Sequence, residues 1–256
     1  MFMTKLTIWI TGASAGFGKA TALKLAAEGH NLVLMARRAD RLAEVEKECQ
    51  MSGSNTLSLP ADVRIQHDIE VAASKAVEHF GPPDVLVNNA GLALGLDRFD
   101  LANPEHWNTM IDTNVKGLLY MGRAAAKYMI DTGKGHIINI GSLAGKEVYP
   151  GGHVYCATKH AVEAITKGMR QDLFKFGIRV SQISPGLAET EFSTVRFEGD
   201  LQRARNVYKG MQPLTAEDIA NCIHFVIHQP QHVCIHDIVL TPTAQATSTL
   251  INRTGQ

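Results

Sequence analysis

The 256-residue chain predicts an α/β fold: a doubly wound, Rossmann-type parallel sheet of about seven strands with helices on both faces. Short continuous apolar runs such as Asn31–Ala36 (NLVLMA) have the length and density of strands buried on both faces. Helical patterns separate these runs, and right-handed crossovers through such helices wind the sheet both ways. The residues of unusual type fall just after strands, where open α/β sheets bind ligands.

The elements follow in order. Leu6–Thr11 reads as a buried strand, GASAGFG as a turn, and the next residues as a helix to about Glu28, ended by Gly29 in a positive-φ position. Asn31–Ala36 is the second strand and Asp40–Gln50 a charged amphipathic helix. Thr56–Leu59 is the third strand, with Asp62 beyond its carboxyl end. Residues 65–80 are helical and closed by Gly81-Pro82-Pro83; DVLVNNAG is a fourth strand entering a turn. A long helix spans about 104–131, GHIINIGS is the fifth strand, and a helix over 152–176 ends at Gly177. IRVSQISPG is the sixth strand, 189–210 a set of short polar helices or a lid, 215–228 a helix capped by Thr215, and HDIVLTP the seventh strand. With no linker or repeat, 1–256 is expected to be one domain, with a substrate lid at 187–214 and a C-terminal tail at 243–256.

Composition excludes several classes. The 25 basic and 25 acidic residues cancel, so the basic footprint of a nucleic-acid binder is missing. No apolar run reaches the ~20 residues of a membrane span. The first strand starts about six residues in, so no targeting peptide is expected before it, and Cys49, Cys156, Cys222 and Cys234 form no CxxC pair. Free thiols in a reducing, cytoplasmic setting are expected. His224 and His228 are four apart on a helix, but the sequence shows no carboxylate or third ligand with them. A solvated helix face, and no metal, is the expectation there.

Gly12, Gly16 and Gly18 sit between the first strand and its helix. Glycine permits the tight turn and a close backbone approach, and the helix N-terminus suits a pyrophosphate. Their spacing is GxxxGxG rather than GxGxxG, and alone it also fits a plain tight connection. Arg37 and Arg38 follow the second strand, where an acidic residue would bind a ribose 2′-hydroxyl and arginine accommodates a 2′-phosphate. That reads as NADP; the other reading is a solvated arginine pair opening a charged helix. Asp62 is either an acceptor for an adenine amino group or a turn aspartate. Asn88, Asn89, Ala90 and Gly91 form a polar cluster at the cleft lip, expected to order the cofactor loop.

Tyr155 and Lys159 stand at i and i+4, on one helix face. A neighbouring ammonium stabilises tyrosinate and is expected to bring the phenol toward an acid–base working range. Ser142 would hold a substrate oxygen beside the Tyr155 hydroxyl, Lys159 would bond a nicotinamide ribose, and Asn114 would hold a proton-relaying water. Each alone has a structural reading; their order along the chain with the glycine turn points to nicotinamide-dependent redox chemistry.

These motifs together resemble the short-chain dehydrogenase/reductase family over about residues 5–242. The resemblance rests on Thr11-Gly12-xxx-Gly16-x-Gly18, Asp62, Asn88-Asn89-Ala90-Gly91, Asn114, Ser142, Tyr155-xxx-Lys159 and Pro185-Gly186 with Thr190. It implies the catalytic set Asn114, Ser142, Tyr155 and Lys159. It extends the cofactor set to Ser14, Ala15, Phe17, Val63, Pro185, Gly186, Ala188 and Thr190, and it implies a homotetramer. NNAGLALG, MIDTNVKGLLYM, EFSTVRFEGD and LTAEDIA further resemble the NADP-dependent 3-hydroxy acid dehydrogenase branch, whose substrates are serine, L-allo-threonine and malonic semialdehyde types. For a small acid substrate, Arg196 is the candidate carboxylate partner; its other reading is a lid arginine paired with Glu198 or Asp200. Lys146 and Arg203 are the lesser candidates. The alternatives in function are a reductase of 3-oxoacyl thioesters, diketones or larger ketones, and a non-enzymatic NADP-binding sensor.

Overall fold

The computed structural model describes residues 5–255; residues 1–4 and 256, the ends of the expected domain, lie outside the described residues. Among the described residues the strands are β1 (Thr7–Thr11), β2 (Asn31–Ala36), β3 (Asn55–Pro60), β4 (Val85–Asn88), β5 (Gly135–Ile140), β6 (Ile178–Pro185) and β7 (Asp237–Leu240). They form one parallel sheet in the order β3-β2-β1-β4-β5-β6-β7. The order reverses between β1 and β4, and the crevice beyond that switch holds the site.

Alternate strand residues feed two cores. Ile8, Ile10, Leu32, Leu34, Val85 and Val87 pack against α1 (Gly16–Ala26), α2 (Ala39–Met51) and α9 (Ala216–Ile227) on one face. Trp9, Val33, Met35, Leu86 and Ile137 pack against α3 (Gln66–Phe80) and α5 (Leu118–Thr132) on the other. The period of two in the backbone therefore places an apolar residue on both faces, which is why the strands read as unbroken apolar runs. Full burial of one such side chain contributes about 1.5–3 kcal/mol.

The expected helix over 104–131 is present but not uniform. α4 (Pro104–Ile111) passes through a π turn, Asp112–Gly117, into α5. One extra residue in a helical ladder leaves no trace in apolar periodicity, and π turns favour functional positions. Asn114 lies inside it. The helix over 153–173 is α6, and α9 begins with the Thr215–Asp218 capping box. Gly117 and Gly122 face the chain's own Val63 and Met169, which a Cβ would meet at 2.7 and 2.6 Å, so their smallness serves packing within the monomer.

Beyond β6 lie α7 (Glu191–Arg196) and α8 (Leu201–Asn206). The segment after β7 folds back on them: Gln245 Oε1 accepts the Leu187 N–H at 2.8 Å, and Arg253 donates to the Val207 carbonyl at 2.9 Å. No helix among the described residues is long and apolar enough to cross a membrane.

Candidate active site

The glycine turn explains its own spacing. Gly12 and Gly16 take φ of 65° and 52°, in the left-handed region where other residues are strained. Gly18 is different: a Cβ there would lie 2.4 Å from the Gly12 carbonyl oxygen and 2.7 Å from Asn89 Nδ2. It lets α1 begin directly over the turn. Thr11 Oγ1 accepts both the Asn89 and Ala90 N–H groups at 2.9 Å, and Asn89 Nδ2 donates to the Thr11 carbonyl at 2.8 Å. The exits of β1 and β4 are thus fastened together. Asn88 does not join them. It points to the other face and donates to the Leu118 carbonyl at 2.9 Å, correcting the expectation that both asparagines order the cofactor loop. α1 has no side-chain cap and no acid in its first turn, so its leading N–H groups are free for an anion.

A cleft of about 400 Å³ opens above this turn. Ser14, Ala15, Phe17, Val63, Gly91 and Thr190 line it with Gly12 and Gly16, as do Arg37, Arg38, Asp62, Tyr155 and Lys159, whereas Gly18 lies behind the turn. Arg38 donates to Ser14 Oγ at 3.2 Å and to Glu191 on α7 at 2.9 Å. Arg41, one turn into α2, also contacts Glu191; the sequence reading did not single it out. Asp62 accepts the Arg64 N–H at 3.0 Å and pairs with its guanidinium. Burial raises the Asp62 carboxyl, but the Arg64 hydrogen bonds and charge outweigh that and hold it below the usual range. The turn role is therefore realised, at a position that also borders the cleft.

Tyr155 and Lys159 lie one turn apart on α6, both buried. Lys159 Nζ donates to the Ile140 carbonyl at 2.9 Å, and burial draws its pKa down to about 8. Burial also pushes the Tyr155 phenol above its ordinary value; the Ser142 hydroxyl and the Arg196 charge oppose the rise. The expected lowering by Lys159 does not prevail, because burial of the phenol outweighs the favourable groups around it. Ser142 follows β5, accepting the Ala144 N–H at 3.1 Å and donating to the Pro185 carbonyl at 3.4 Å.

Asn114 is 1% exposed. Its Oδ1 accepts the Leu92 N–H at 2.9 Å, and its Nδ2 donates to the Leu92 carbonyl at 2.8 Å and to Thr158 Oγ1 at 3.1 Å. The amide is a brace between the β4 exit loop and α6. Both side-chain N–H donors are used in this brace, so a proton-relaying water held here, as the sequence reading expects, would bond an acceptor and not these donors.

A second chamber of about 350 Å³ shares Gly141, Tyr155 and Phe192 with the first. Ser142, Pro185, Gly186, Ala188 and Arg196 line it, so Pro185, Gly186 and Ala188 border the space that adjoins the first cleft at Tyr155. Arg196 is not paired with Glu198 or Asp200. Its Nε donates to the Gly95 carbonyl at 3.0 Å and its Nη1 to the Tyr149 hydroxyl at 3.1 Å. The guanidinium stands 5.7 Å from the Tyr155 ring centre. Lys146 is tied to Glu163 and Asp237, and Arg203 lies over the Phe197 ring, so neither competes for this place. Gln245 and Arg253, from the tail, also line the chamber and were not foreseen.

One expectation fails elsewhere. His224 and His228 are not a solvated helix face: Glu28 contacts both, and His30 adjoins Glu28. The carboxylate and third histidine come from the α1–β2 connection, far off in the chain.

The profile of the short chain dehydrogenase family matches residues 6–200. An NADP-dependent 3-hydroxy acid dehydrogenase of Salmonella typhi is 43% identical over 242 residues, covering 94% of this chain and 96% of that protein. The Schizosaccharomyces pombe NADP-dependent 3-hydroxy acid dehydrogenase is 44% identical over 241 residues, 93% of each chain. The structure of a closed serine dehydrogenase complexed with NADP+ superposes with a TM-score of 0.92 at 41% identity, covering 96% of this chain and 98% of that one.

Proposed function

The chain belongs to the short chain dehydrogenase family, and on that premise we propose that it is an NADP-dependent dehydrogenase of small 3-hydroxy acids. Its reaction is the oxidation of the 3-hydroxyl of serine, allo-threonine or 3-hydroxypropionate types, or reduction of the matching 3-oxo acid. The cradle fits the cofactor: Gly12 and Gly16 line it, the α1 N–H groups are uncapped, and Arg37 and Arg38 border the same cleft, where they would face a 2′-phosphate. Bound NADP accepts or returns a hydride.

The residues of the chain supply the rest. Ser142 and the Tyr155 hydroxyl hold the substrate oxygen; Tyr155 takes its proton in oxidation and returns it in reduction. A phenol kept protonated by burial is the form that gives the proton. Lys159, a buried cation one turn away, stabilises the tyrosinate whenever it forms. Asn114 positions the loop and helix that carry these groups.

Arg196 carries the substrate reading. A guanidinium beside Tyr155, with no carboxylate partner among the described residues, suits the carboxylate of a small acid. A homotetramer is the assembly proposed, with Leu119 and Ala164 presenting exposed apolar positions on α5 and α6. The test is a steady-state panel of small 3-hydroxy acids, a diketone and a 3-oxoacyl thioester, each with NADP and NAD cofactors. Highest kcat/KM for a small 3-hydroxy acid with NADP+ is expected. Preference for the thioester or diketone would replace this reading with a general carbonyl reductase.

A further inference from the structure

At the end of α1 away from the glycine turn, four titratable side chains converge. Glu28 and His30 lie in the connection from α1 to β2, two residues apart. His224 and His228 stand four apart in the last turn of α9 and its cap, on one face. Glu28 Oε2 lies 3.1 Å from His30 Nε2 and 3.2 Å from His228 Nε2, and Glu28 Oε1 contacts His224 Nε2. The His224 and His228 rings are tilted 32° with centres 4.1 Å apart.

Hydrogen bonds sort these groups into two roles. His228 Nδ1 lies 2.8 Å from the His224 carbonyl oxygen. A carbonyl only accepts, so Nδ1 carries the proton, and in the neutral ring the Nε2 lone pair faces Glu28. Metal-binding histidines are commonly fixed this way, through the second ring nitrogen. His30 is held in the opposite sense. Its Nδ1 accepts the Leu6 N–H at 3.3 Å, so its Nε2 bears the proton and donates it to Glu28. His30 therefore orients the carboxylate without ligating.

Glu28, His30 and His228 bring one ring or carboxylate atom each within 4.8 Å of one another; with His30 turned to a donor, Glu28 and His228 remain as ligands in place, and His224, which meets the other carboxylate oxygen, completes the set by moving. Donors at zinc distances on a tetrahedron lie about 3.3 Å apart. The Glu28–His228 spacing of 3.2 Å meets that edge. The His224 ring is closer to Glu28 and has to swing outward; at 30% exposure it has room, and the same opening admits an ion from solvent. Two imidazoles and a carboxylate suit zinc and its neighbours, not the all-oxygen shells of magnesium or calcium.

We propose that Glu28, His224 and His228 form a divalent transition-metal site best suited to Zn2+, oriented by His30, that clasps the end of α1 to the end of α9. α1 has 11 residues, so about 16 Å separates this site from the phosphate turn. The ion braces the helix pair and takes no part in hydride transfer.

The full chain, stripped by chelation, would be titrated with Zn2+ by equilibrium dialysis and with Co2+ by visible absorption. Expected are one saturable Zn2+ per chain, a raised Tm, intense tetrahedral Co2+ bands and turnover within about twofold of the stripped protein. His224→Gln with His228→Gln should abolish the stoichiometric uptake, with circular dichroism verifying the fold. His30→Gln should weaken it about ten- to a hundredfold, the scale for loss of an outer partner. The proposal is overturned if the wild-type chain takes up no stoichiometric Zn2+, gives no tetrahedral Co2+ spectrum, or binds no better than the double variant. In those outcomes the cluster holds protons between its rings and carboxylate, and nothing more.

Discussion

On the floor of the cleft, Lys159 and Asn114 are 6% and 1% exposed and reach backbone groups inside the core. On the roof, Arg196 and Arg253 also reach backbone carbonyls, but from half-buried segments. The floor groups are fixed by strand exits, a π turn and α6, and Tyr155 sits in a smaller third cluster with Leu92, Met110 and Ala144, on which Phe192 of the roof packs. The roof is joined by a few bonds between distant segments: Arg196 to Gly95, Gln245 to Leu187, Glu191 to Arg38. Local stability follows buried contact, so we propose the roof as the part that opens. Chemistry is assigned to the floor and substrate choice to the roof, and changes in each should fail in different ways.

The largest effect belongs to the floor. Tyr155→Phe should lower kcat by at least ~10²-fold while NADPH affinity, set by the glycine turn, stays within a few-fold. Equal loss of turnover and cofactor binding would show that floor and cradle are not separable. A smaller effect is expected where roof and cradle meet. Arg37→Gln with Arg38→Gln should raise the KM for NADP about tenfold or more and leave that for NAD nearly unchanged, because only NADP carries the 2′-phosphate. Parallel rises in both constants would remove the pair from cofactor choice.

The smallest effect tests burial itself. Lys159 protonates near ~10.4 in an unfolded chain. Burial draws it to about 8 in the fold. Between those values the unfolded chain binds more protons, so this group makes stability rise with pH. Below pH 8 the cost of the buried ammonium is present in full. Lys159→Met should therefore raise Tm by a few degrees at pH 7 although turnover is lost, with the advantage shrinking toward pH 10. A less stable variant at pH 7, or a gap that ignores pH, would contradict the account of the floor.

The sequence made the floor legible and the roof only partly so. Gly12 and Gly16 are restricted by φ and Gly18 by the backbone it nearly touches, so residue type alone marked them. Tyr155 and Lys159 were marked by helical spacing. Arg196 was singled out, but its latch to Gly95 joins positions 101 residues apart and has no local signature. Gln245 and Arg253 lie in a tail without periodicity, and their partners are backbone atoms, which any residue offers. Glu28 meets His224 across 196 residues, so the pair of histidines looked unaccompanied until α1 and α9 packed together. The π turn was invisible because apolar spacing tolerates one inserted residue.

The division between floor and roof rests most directly on Arg196. Arg196→Ala should lower kcat/KM for small 3-hydroxy acids by about 2–3 kcal/mol in transition-state terms, roughly 30- to 150-fold, the scale of a lost charge-assisted hydrogen bond. A neutral alcohol or ketone of similar size, measured with the same preparation, should change far less, having no carboxylate to lose. An equal loss on both substrates would contradict the account: Arg196 would then hold the roof through Gly95 and Tyr149, and choose no substrate.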